Sequence, residues 1–171
     1  MLEKIDRYAA PLLGLAAVLM LAGAYGFQYL EDLPPCELCW WQRYAHMAAV
    51  PVALIAAALD MPARKAEQGP SPYAALAFFT LVLVFATGAA IAGFHVGVEQ
   101  DWWEGPTACT ALTLEGSLED MFNQLISAPV VRCDDIAWTL FGVSMAGYNG
   151  MISLALALYA GWATRNRLKQ E

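Results

Sequence analysis

Positive charge is scarce in this sequence. Its 171 residues contain 9 Lys and Arg against 16 Asp and Glu, which gives a formal net charge of −7 at pH 7. The chain has no basic patch that would neutralise phosphates, and this excludes nucleic acid as a partner. The sequence also lacks internal repeats, low-complexity tracts and any long polar stretch that would form a separate soluble domain.

Apolar residues, by contrast, are in excess. They make up 59% of the chain, compared with roughly 45–50% in a soluble domain. They fall into four blocks at about residues 9–30, 40–59, 73–94 and 138–163, and no block has a Lys, Asp or Glu at its centre. A helix needs about 20 mostly apolar residues to cross a bilayer. The sequence therefore predicts an all-α membrane protein, in which residues 1–171 form one four-helix transmembrane bundle.

The positions of the basic residues predict the orientation. Seven of the nine lie before the first block, between the second and third, or after the fourth: Lys4, Arg7, Arg64, Lys65, Arg165, Arg167 and Lys169. Lys and Arg accumulate on the cytoplasmic side of membrane proteins. We therefore expect both termini in the cytoplasm and two acidic periplasmic loops, at about residues 31–39 and 95–137. A cleavable signal peptide ending near Ala22-Gly23-Ala24 is a competing interpretation, and it leaves the cysteines on the same side.

The long second loop contains one helical pattern. Its apolar residues fall on a single helical face: Leu114, Leu118, Met121, Phe122 and Leu125. Ser117 and Asp120 have the spacing of a capping box at its start. This predicts a short amphipathic helix on the membrane surface, with packing against the rest of the loop as the alternative.

All four cysteines lie in the two outer loops. Cys36 and Cys39 share the first loop, and Cys109 and Cys133 bracket the second. An oxidising compartment favours disulfides, and proximity in sequence favours pairing within each loop. For Cys109–Cys133 a structural staple and an exchange role are equally plausible. A Cys36–Cys39 bond closes too short a loop to stabilise the fold, so Cys-x-x-Cys redox chemistry explains it better.

Arg43 follows Cys39 by one helical turn, at the start of the predicted second helix. A positive charge and a helix N-terminus both stabilise a thiolate, which is the species that attacks a disulfide. The alternative is that Arg43 extends to the lipid headgroups. Trp40 and Trp41 fit an interfacial aromatic belt, which predicts that Cys39 lies where a lipid-soluble electron acceptor can reach it.

Metal and haem interpretations fit less well. A zinc site is favoured by closely spaced ligand pairs, and Cys109 and Cys133 are far apart in sequence. A c-type haem needs Cys-x-x-Cys-His, but Trp40 occupies the last position. His95 lies at the outer end of the third predicted helix and could donate a hydrogen bond or a proton to a ligand, or be an ordinary interface residue. His46 reads as a hydrogen-bonded histidine inside the bundle.

The segment Cys36-Glu-Leu-Cys39-Trp-Trp-Gln-Arg43 resembles the Cys-x-Leu-Cys-x-x-x-Arg signature of the DsbB family, the bacterial inner-membrane proteins that generate disulfides. Gly105–Cys109 and Cys133-Asp134 resemble the second-loop pattern of that family, as does the segment from Trp138 to Ala146. With four spans and two cysteines in each outer loop, the resemblance covers nearly the whole chain.

The resemblance implies a thiol:quinone oxidoreductase in the bacterial inner membrane. A reduced periplasmic thioredoxin-fold oxidase of the DsbA type would attack Cys109 and release Cys133. Cys133 would then exchange with Cys36 and release Cys39, which passes electrons to ubiquinone, or to menaquinone without oxygen. By the same resemblance Arg43 would hold the quinone, and His95 would lie near it.

Two other functions stay open on the sequence alone. One is a membrane scaffold or partner-binding protein, whose loop disulfides would be inert. The other is a zinc-binding membrane protein, whose cysteines would be reduced.

Overall fold

The computed structural model describes residues 6–65, 72–106, 117–119 and 131–169. These contain four long helices and one short hairpin: α1 Ala9–Leu30, α2 Glu37–Lys65, α3 Pro72–Glu99, β1 Thr139–Leu140, β2 Val143–Ser144 and α4 Met145–Leu168. Three segments are long and apolar enough to cross a membrane: Ala9–Leu30, Glu37–Pro62 and Tyr73–Glu99. The chain is therefore largely helical, as predicted.

The helix bounds follow the apolar blocks, but several helices extend beyond them. Helix α1 covers the predicted residues 9–30, whereas α2 begins three residues early and continues to Lys65, α3 continues to Glu99, and α4 continues to Leu168. These extensions carry polar residues, because a helix continues through the headgroup region after its apolar stretch ends. Glu37 in the first turn of α2 complements the positive end of the helix dipole. The predicted surface helix lies outside the described residues, apart from 117–119.

The fourth helix begins later than the predicted start at residue 138. Residues 139–144 form an antiparallel hairpin in which Thr139 pairs with Ser144 and Leu140 with Val143. Phe141 and Gly142 between the strands have φ values of 51° and 78°. Positive φ at both central residues is typical of a type I′ turn. The apolar side chains of this hairpin resemble the start of a span, and this is why composition alone misplaced the helix boundary.

The four helices pack in an incomplete ring. Extensive contacts join α1 to α2, α2 to α3 and α3 to α4, whereas α1 and α4 contact each other little. Alanines fill much of the buried interface, including Ala53, Ala56 and Ala160. Small residues let membrane helices approach closely. The sparse contact between α1 and α4 leaves room for a cavity on that side of the bundle.

Arg167 lies inside the bundle and not in a terminal polar tail. It belongs to the last turn of α4 and is 1% exposed. Its guanidinium donates to Asp60 at 3.0 and 2.7 Å and to the Asp6 carboxylate at 3.1 Å. It also lies 3.7 Å from the centre of the Phe78 ring. Arg167 therefore joins α4 to α2, to α3 and to the segment before α1, at the end of the bundle remote from the cysteines.

Candidate active site

The first turn of α2 brings Cys36 and Cys39 together. Cys36 directly precedes the helix, and its sulfur accepts a hydrogen bond from the Cys39 backbone N–H at 3.3 Å. A serine or aspartate oxygen usually occupies this capping position. The two sulfurs are 3.0 Å apart, with the Cys36 thiol donating to Cys39. Neither cysteine forms a disulfide in the structure.

Cys36 is the more buried of the two thiols. It is 5% exposed and packs in an apolar cluster with Leu38, Val98 and Cys133. Its hydrogen bond to Cys39 and its burial raise the pKa of the Cys36 thiol above the ordinary cysteine value. The pair is therefore arranged so that Cys36 keeps a proton while Cys39 holds the negative charge beside the helix N-terminus.

Cys133 lies in the same apolar cluster as Cys36 and is itself disulfide-bonded. Its partner is neither Cys36 nor Cys39, since both are free. Cys109 lies outside the described residues. The fold thus carries one of the two predicted second-loop cysteines to the first-loop pair.

His95 faces Cys36 from helix α3. Its Nε2 is 3.6 Å from the Cys36 sulfur, and its Nδ1 is 2.8 Å from the Gln42 amide nitrogen. That same nitrogen donates to the Leu38 carbonyl oxygen at 3.3 Å. An amide nitrogen only donates, so His95 Nδ1 accepts and the neutral ring carries its proton on Nε2. The Nε2–H of His95 therefore faces the Cys36 sulfur and is shared with the Cys133 backbone.

Arg43 points into the bundle. It is 7% exposed and donates to the Gln28 side-chain oxygen at 2.5 Å and to the Ala24 carbonyl oxygen at 3.0 Å, both on α1. Its guanidinium also lies 4.8 Å from the centre of the Tyr25 ring and 5.1 Å from that of Trp40. These contacts exclude the interpretation in which Arg43 extends to the headgroups. They use only part of its five N–H donors.

A cavity of about 360 Å³ opens beside this pair of thiols. It lies among α1, α2 and α4, where α1 and α4 separate, and several of residues 131–140 also line it. Its wall includes Cys39, Arg43 and His95, and its apolar surface includes Phe27 and Trp138. An apolar cavity with a few converging polar groups is the usual form of a small-molecule site.

The family of the chain can now be stated. Residues 6–163 match the family model described as "Disulfide bond formation protein DsbB". The chain belongs to the DsbB family. With its three membrane-capable helices it is a membrane protein of that family.

Individual relatives agree with this assignment to the DsbB family. The chain is 30% identical over 159 residues to Disulfide bond formation protein B of Hahella chejuensis, covering 87% of this chain and 91% of that protein. It is 29% identical over 157 residues to Disulfide bond formation protein B 1 of Pseudomonas entomophila, covering 91% and 81%. An uncharacterized protein of Rickettsia prowazekii is 24% identical over 166 residues, covering 92% and 88%.

This DsbB-family chain also has a polar network that the sequence did not reveal. Asn149 on α4 donates to the Gln42 side-chain oxygen. The Asn149 oxygen lies 2.8 Å from His46 Nε2 and accepts from the Ser153 hydroxyl at 3.2 Å. A polar residue inside an apolar span often marks a functional site, and Asn149 is such a residue. Its partners Gln42 and His46 could not be read from the sequence, because they lie on α2.

The structure also changes the basis of the zinc interpretation. The sulfurs of Cys36 and Cys39 and a ring nitrogen of His95 all lie within 4.8 Å of one another. Two thiolates and an imidazole are ligands that zinc accepts. This set of three, and not the distant Cys109 and Cys133, is the arrangement that metal analysis should test.

Proposed function

We propose that this protein is a protein-disulfide:quinone oxidoreductase. It reoxidises a periplasmic thioredoxin-fold oxidase of the DsbA type and passes the electrons to ubiquinone in the membrane. The observation that carries the proposal is the close Cys36–Cys39 pair on the wall of an apolar cavity that Arg43 also lines.

The thiol relay uses all four cysteines. The partner's thiolate attacks Cys109 of the Cys109–Cys133 disulfide and releases Cys133, which attacks Cys36 of the Cys36–Cys39 disulfide and releases Cys39. The partner's second thiol then displaces Cys109, which attacks Cys133 in its disulfide with Cys36. The partner leaves oxidised, Cys109–Cys133 re-forms, and Cys36 and Cys39 are left as two thiols. The disulfide at Cys133 and its position in the Cys36 cluster support this order. Exchange needs the attacking sulfur close to the disulfide that it attacks. Cys133 and Cys36 are close because both pack in the same apolar cluster.

The last step re-forms the Cys36–Cys39 disulfide. The two thiols lose two electrons and two protons, and the quinone takes up both pairs as it becomes the hydroquinone. The remaining N–H groups of Arg43 stabilise negative charge on a quinone oxygen. The Nε2–H of His95 and the backbone N–H of Cys39 stabilise the Cys36 sulfur as its proton leaves. Menaquinone has the same reacting groups and fits the same chemistry.

We further propose four membrane crossings in the bacterial inner membrane, with both termini in the cytoplasm. Helix α4 has 24 residues, enough to span. Its polar Ser153 is fully buried, whereas Leu154 and Leu158 are 54% and 67% exposed. This distribution suits a helix whose outer face contacts lipid. Residues 1–171 then form one membrane domain.

The first experiment follows quinone reduction in detergent with a reduced DsbA-type partner. We expect wild type to reduce ubiquinone and Cys39→Ser to be inactive. Arg43→Ala should raise the KM for quinone by about tenfold, because it removes a charge-assisted hydrogen bond. Arg165→Ala is the matched control, since this arginine is exposed on the last turn of α4 and should leave the KM unchanged.

Other results would support the other functions. Intact disulfides with no quinone reduction by wild type would favour an inert membrane scaffold. Stoichiometric zinc in the reduced protein, lost in Cys39→Ser, would favour the metal-binding function. Equal activity of wild type and Cys39→Ser would overturn the oxidoreductase proposal.

A further inference from the structure

Helix α3 ends in a tight turn that reverses the chain. The Trp102 N–H donates to the Gly97 carbonyl oxygen at 2.9 Å. The Asp101 N–H donates to the Val98 carbonyl oxygen at 3.2 Å. These two bonds form a Schellman motif, in which the residue just after the helix takes a positive φ, and Asp101 has a φ of 57°. The second outer loop therefore starts by turning back towards α3.

The reversal places the Trp103 side chain on Gly97. The indole Nε1–H donates to the Phe94 carbonyl oxygen at 2.9 Å, and the rings of Trp103 and Phe94 stack with their centroids 5.7 Å apart. A Cβ atom on Gly97 would lie only 1.9 Å from the Trp103 ring. The indole can therefore lie against the helix only because residue 97 has no side chain.

A short stretch of chain leads from Trp103 to the thiol cluster. Gly105, two residues later, lies against Val98. A Cβ atom on this glycine would be 3.2 Å from the Val98 side chain and 4.0 Å from the Cβ of Cys133. Val98 and Cys133 both belong to the apolar cluster around Cys36. The segment that Trp103 holds on α3 therefore ends beside Cys133.

The reach of Cys109 depends on where this segment ends. Cys109 follows Gly105 by four residues, and four residues of chain span at most roughly 14 Å. If residues 101–105 were released from α3, the free chain before Cys109 would be longer. The effective concentration of one chain end at another falls as the tether between them becomes longer and more flexible. Holding residues 101–105 on α3 therefore favours contact between Cys109 and Cys133.

We propose that Trp103 is a positioning residue for the second-loop cysteines. Its contact with Gly97 holds residues 101–105 against α3 and so keeps Cys109 within reach of Cys133. The inference rests on the proposed function, in which the Cys109 thiolate attacks Cys133 after the partner has left. In that step the Cys109–Cys133 bond forms, the Cys133–Cys36 bond breaks, and Cys36 leaves as the thiolate.

Two substitutions remove this contact from opposite sides. Gly97→Ala puts a methyl group where the ring lies and displaces the ring, while alanine itself favours the helix. Trp103→Ala removes the indole. Gly93→Ala is the matched control, because it adds the same methyl group one turn earlier on α3, where the described part of the chain has no atom within 4 Å.

The first measurement is the equilibrium of the Cys109–Cys133 disulfide with reduced and oxidised dithiothreitol in detergent. Serine replaces both first-loop cysteines, so that only this pair titrates. In Gly97→Ala and in Trp103→Ala the equilibrium constant for forming the protein disulfide should fall roughly three- to tenfold. The double variant should lose little more, because both changes remove the same contact. Gly93→Ala should match the parent protein.

The second measurement keeps all four cysteines and follows turnover with a reduced DsbA-type partner and ubiquinone. Acid quenching and alkylation trap the disulfides that are present at each time. Because the return of Cys109 is slower, Gly97→Ala and Trp103→Ala should accumulate the Cys36–Cys133 cross-link above the wild-type level.

Three results would overturn the proposal: an unchanged equilibrium constant in Gly97→Ala or Trp103→Ala, an equal fall in Gly93→Ala, or equal cross-link levels while wild type turns over. Trp103 would then be an interfacial anchor alone. Failure of the proposed function looks different. In that case wild type shows no turnover with quinone, while the dithiothreitol equilibrium still decides the role of Trp103.

Discussion

At the scale of single residues, Cys36 combines a structural and a chemical function. Its sulfur caps the first turn of α2 through the Cys39 N–H, and its thiol donates to the Cys39 sulfur. A side chain that both starts a helix and reacts must change its hydrogen bonds during turnover. His95 supplies a replacement donor, so the Cys36 sulfur keeps a partner when it loses its proton.

The raised pKa of Cys36 predicts a two-stage titration of the reduced protein. Because the fold favours the protonated form of the Cys36 thiol, we expect the reduced protein to hold one thiolate per molecule already at pH about 8.5, where free cysteine titrates. The second thiolate, on Cys36, should form only at higher pH. The folded state holds this proton more tightly than the unfolded chain. Raising the pH above about 8.5 should therefore also destabilise the reduced fold.

Ultraviolet absorbance of thiolates, referenced to the oxidised protein, measures this titration. The control is Cys36→Ser, which should lose the late stage and keep the early one. If both thiolates of wild type formed together near the ordinary cysteine value, the proposed division of charge within the pair would be wrong.

The sequence pointed to the residues proposed to react but not to those that support them. Cys36, Cys39, Arg43 and His95 stood out because cysteine, arginine and histidine are costly or reactive near a membrane. Gln42 and Asn149 are 107 positions apart, and only the packing of α2 against its neighbours brings them into contact. No local pattern encodes such a pair, so neither residue could be assigned a partner from sequence.

At the scale of elements, the hairpin before α4 couples the helix start to the site. Ser144 caps α4 by accepting from the Gly147 N–H at 3.1 Å, and its hydroxyl donates to Glu99 at the end of α3. Glu99 lines the cavity. One hydroxyl therefore joins the last turn of α3 to the first turn of α4 beside the dithiol.

Ser144→Ala should lower the free energy of unfolding by about 1 kcal/mol, the usual effect of removing a helix cap. Thermal unfolding in detergent, followed by circular dichroism, measures the change. Ser144→Thr keeps the hydroxyl and serves as the matched control, with a Tm close to wild type. An unchanged Tm in Ser144→Ala would mean that Ser144 does not stabilise the start of α4.

Element boundaries were predictable only where physics requires long apolar runs. The bilayer demands about 20 apolar residues, and α1 therefore matched residues 9–30. The hairpin at 139–144 was missed because its strands are as apolar as a span, and the turn signal is a single Gly142. Hydropathy cannot distinguish a short apolar strand from the first turns of a helix.

At the scale of the whole molecule, the bundle has polar clusters at both ends of α2. The thiol site lies at its start, and the Arg167–Asp60 pair lies roughly 36 Å away, taking 24 residues at about 1.5 Å each. The sequence interpretation counted Arg167 with Arg165 and Lys169 only as basic residues that set the orientation. Burial of Arg167 gives it a second function, which is to hold α4 against α2.

Arg167→Met should therefore separate stability from activity. The substitution leaves the buried Asp60 and Asp6 carboxylates without the Arg167 guanidinium, and the expected loss is about 3–5 kcal/mol of unfolding free energy. Adding Asp60→Leu to this variant should recover part of the loss, and Arg165→Met, at an exposed position, should cost little. Quinone reduction per folded molecule should stay near wild type, because distant sites act independently. Denaturant unfolding in mixed micelles and turnover of the folded fraction measure the two quantities. If the turnover of the folded fraction fell along with the free energy of unfolding, the two ends of the bundle would instead be energetically coupled.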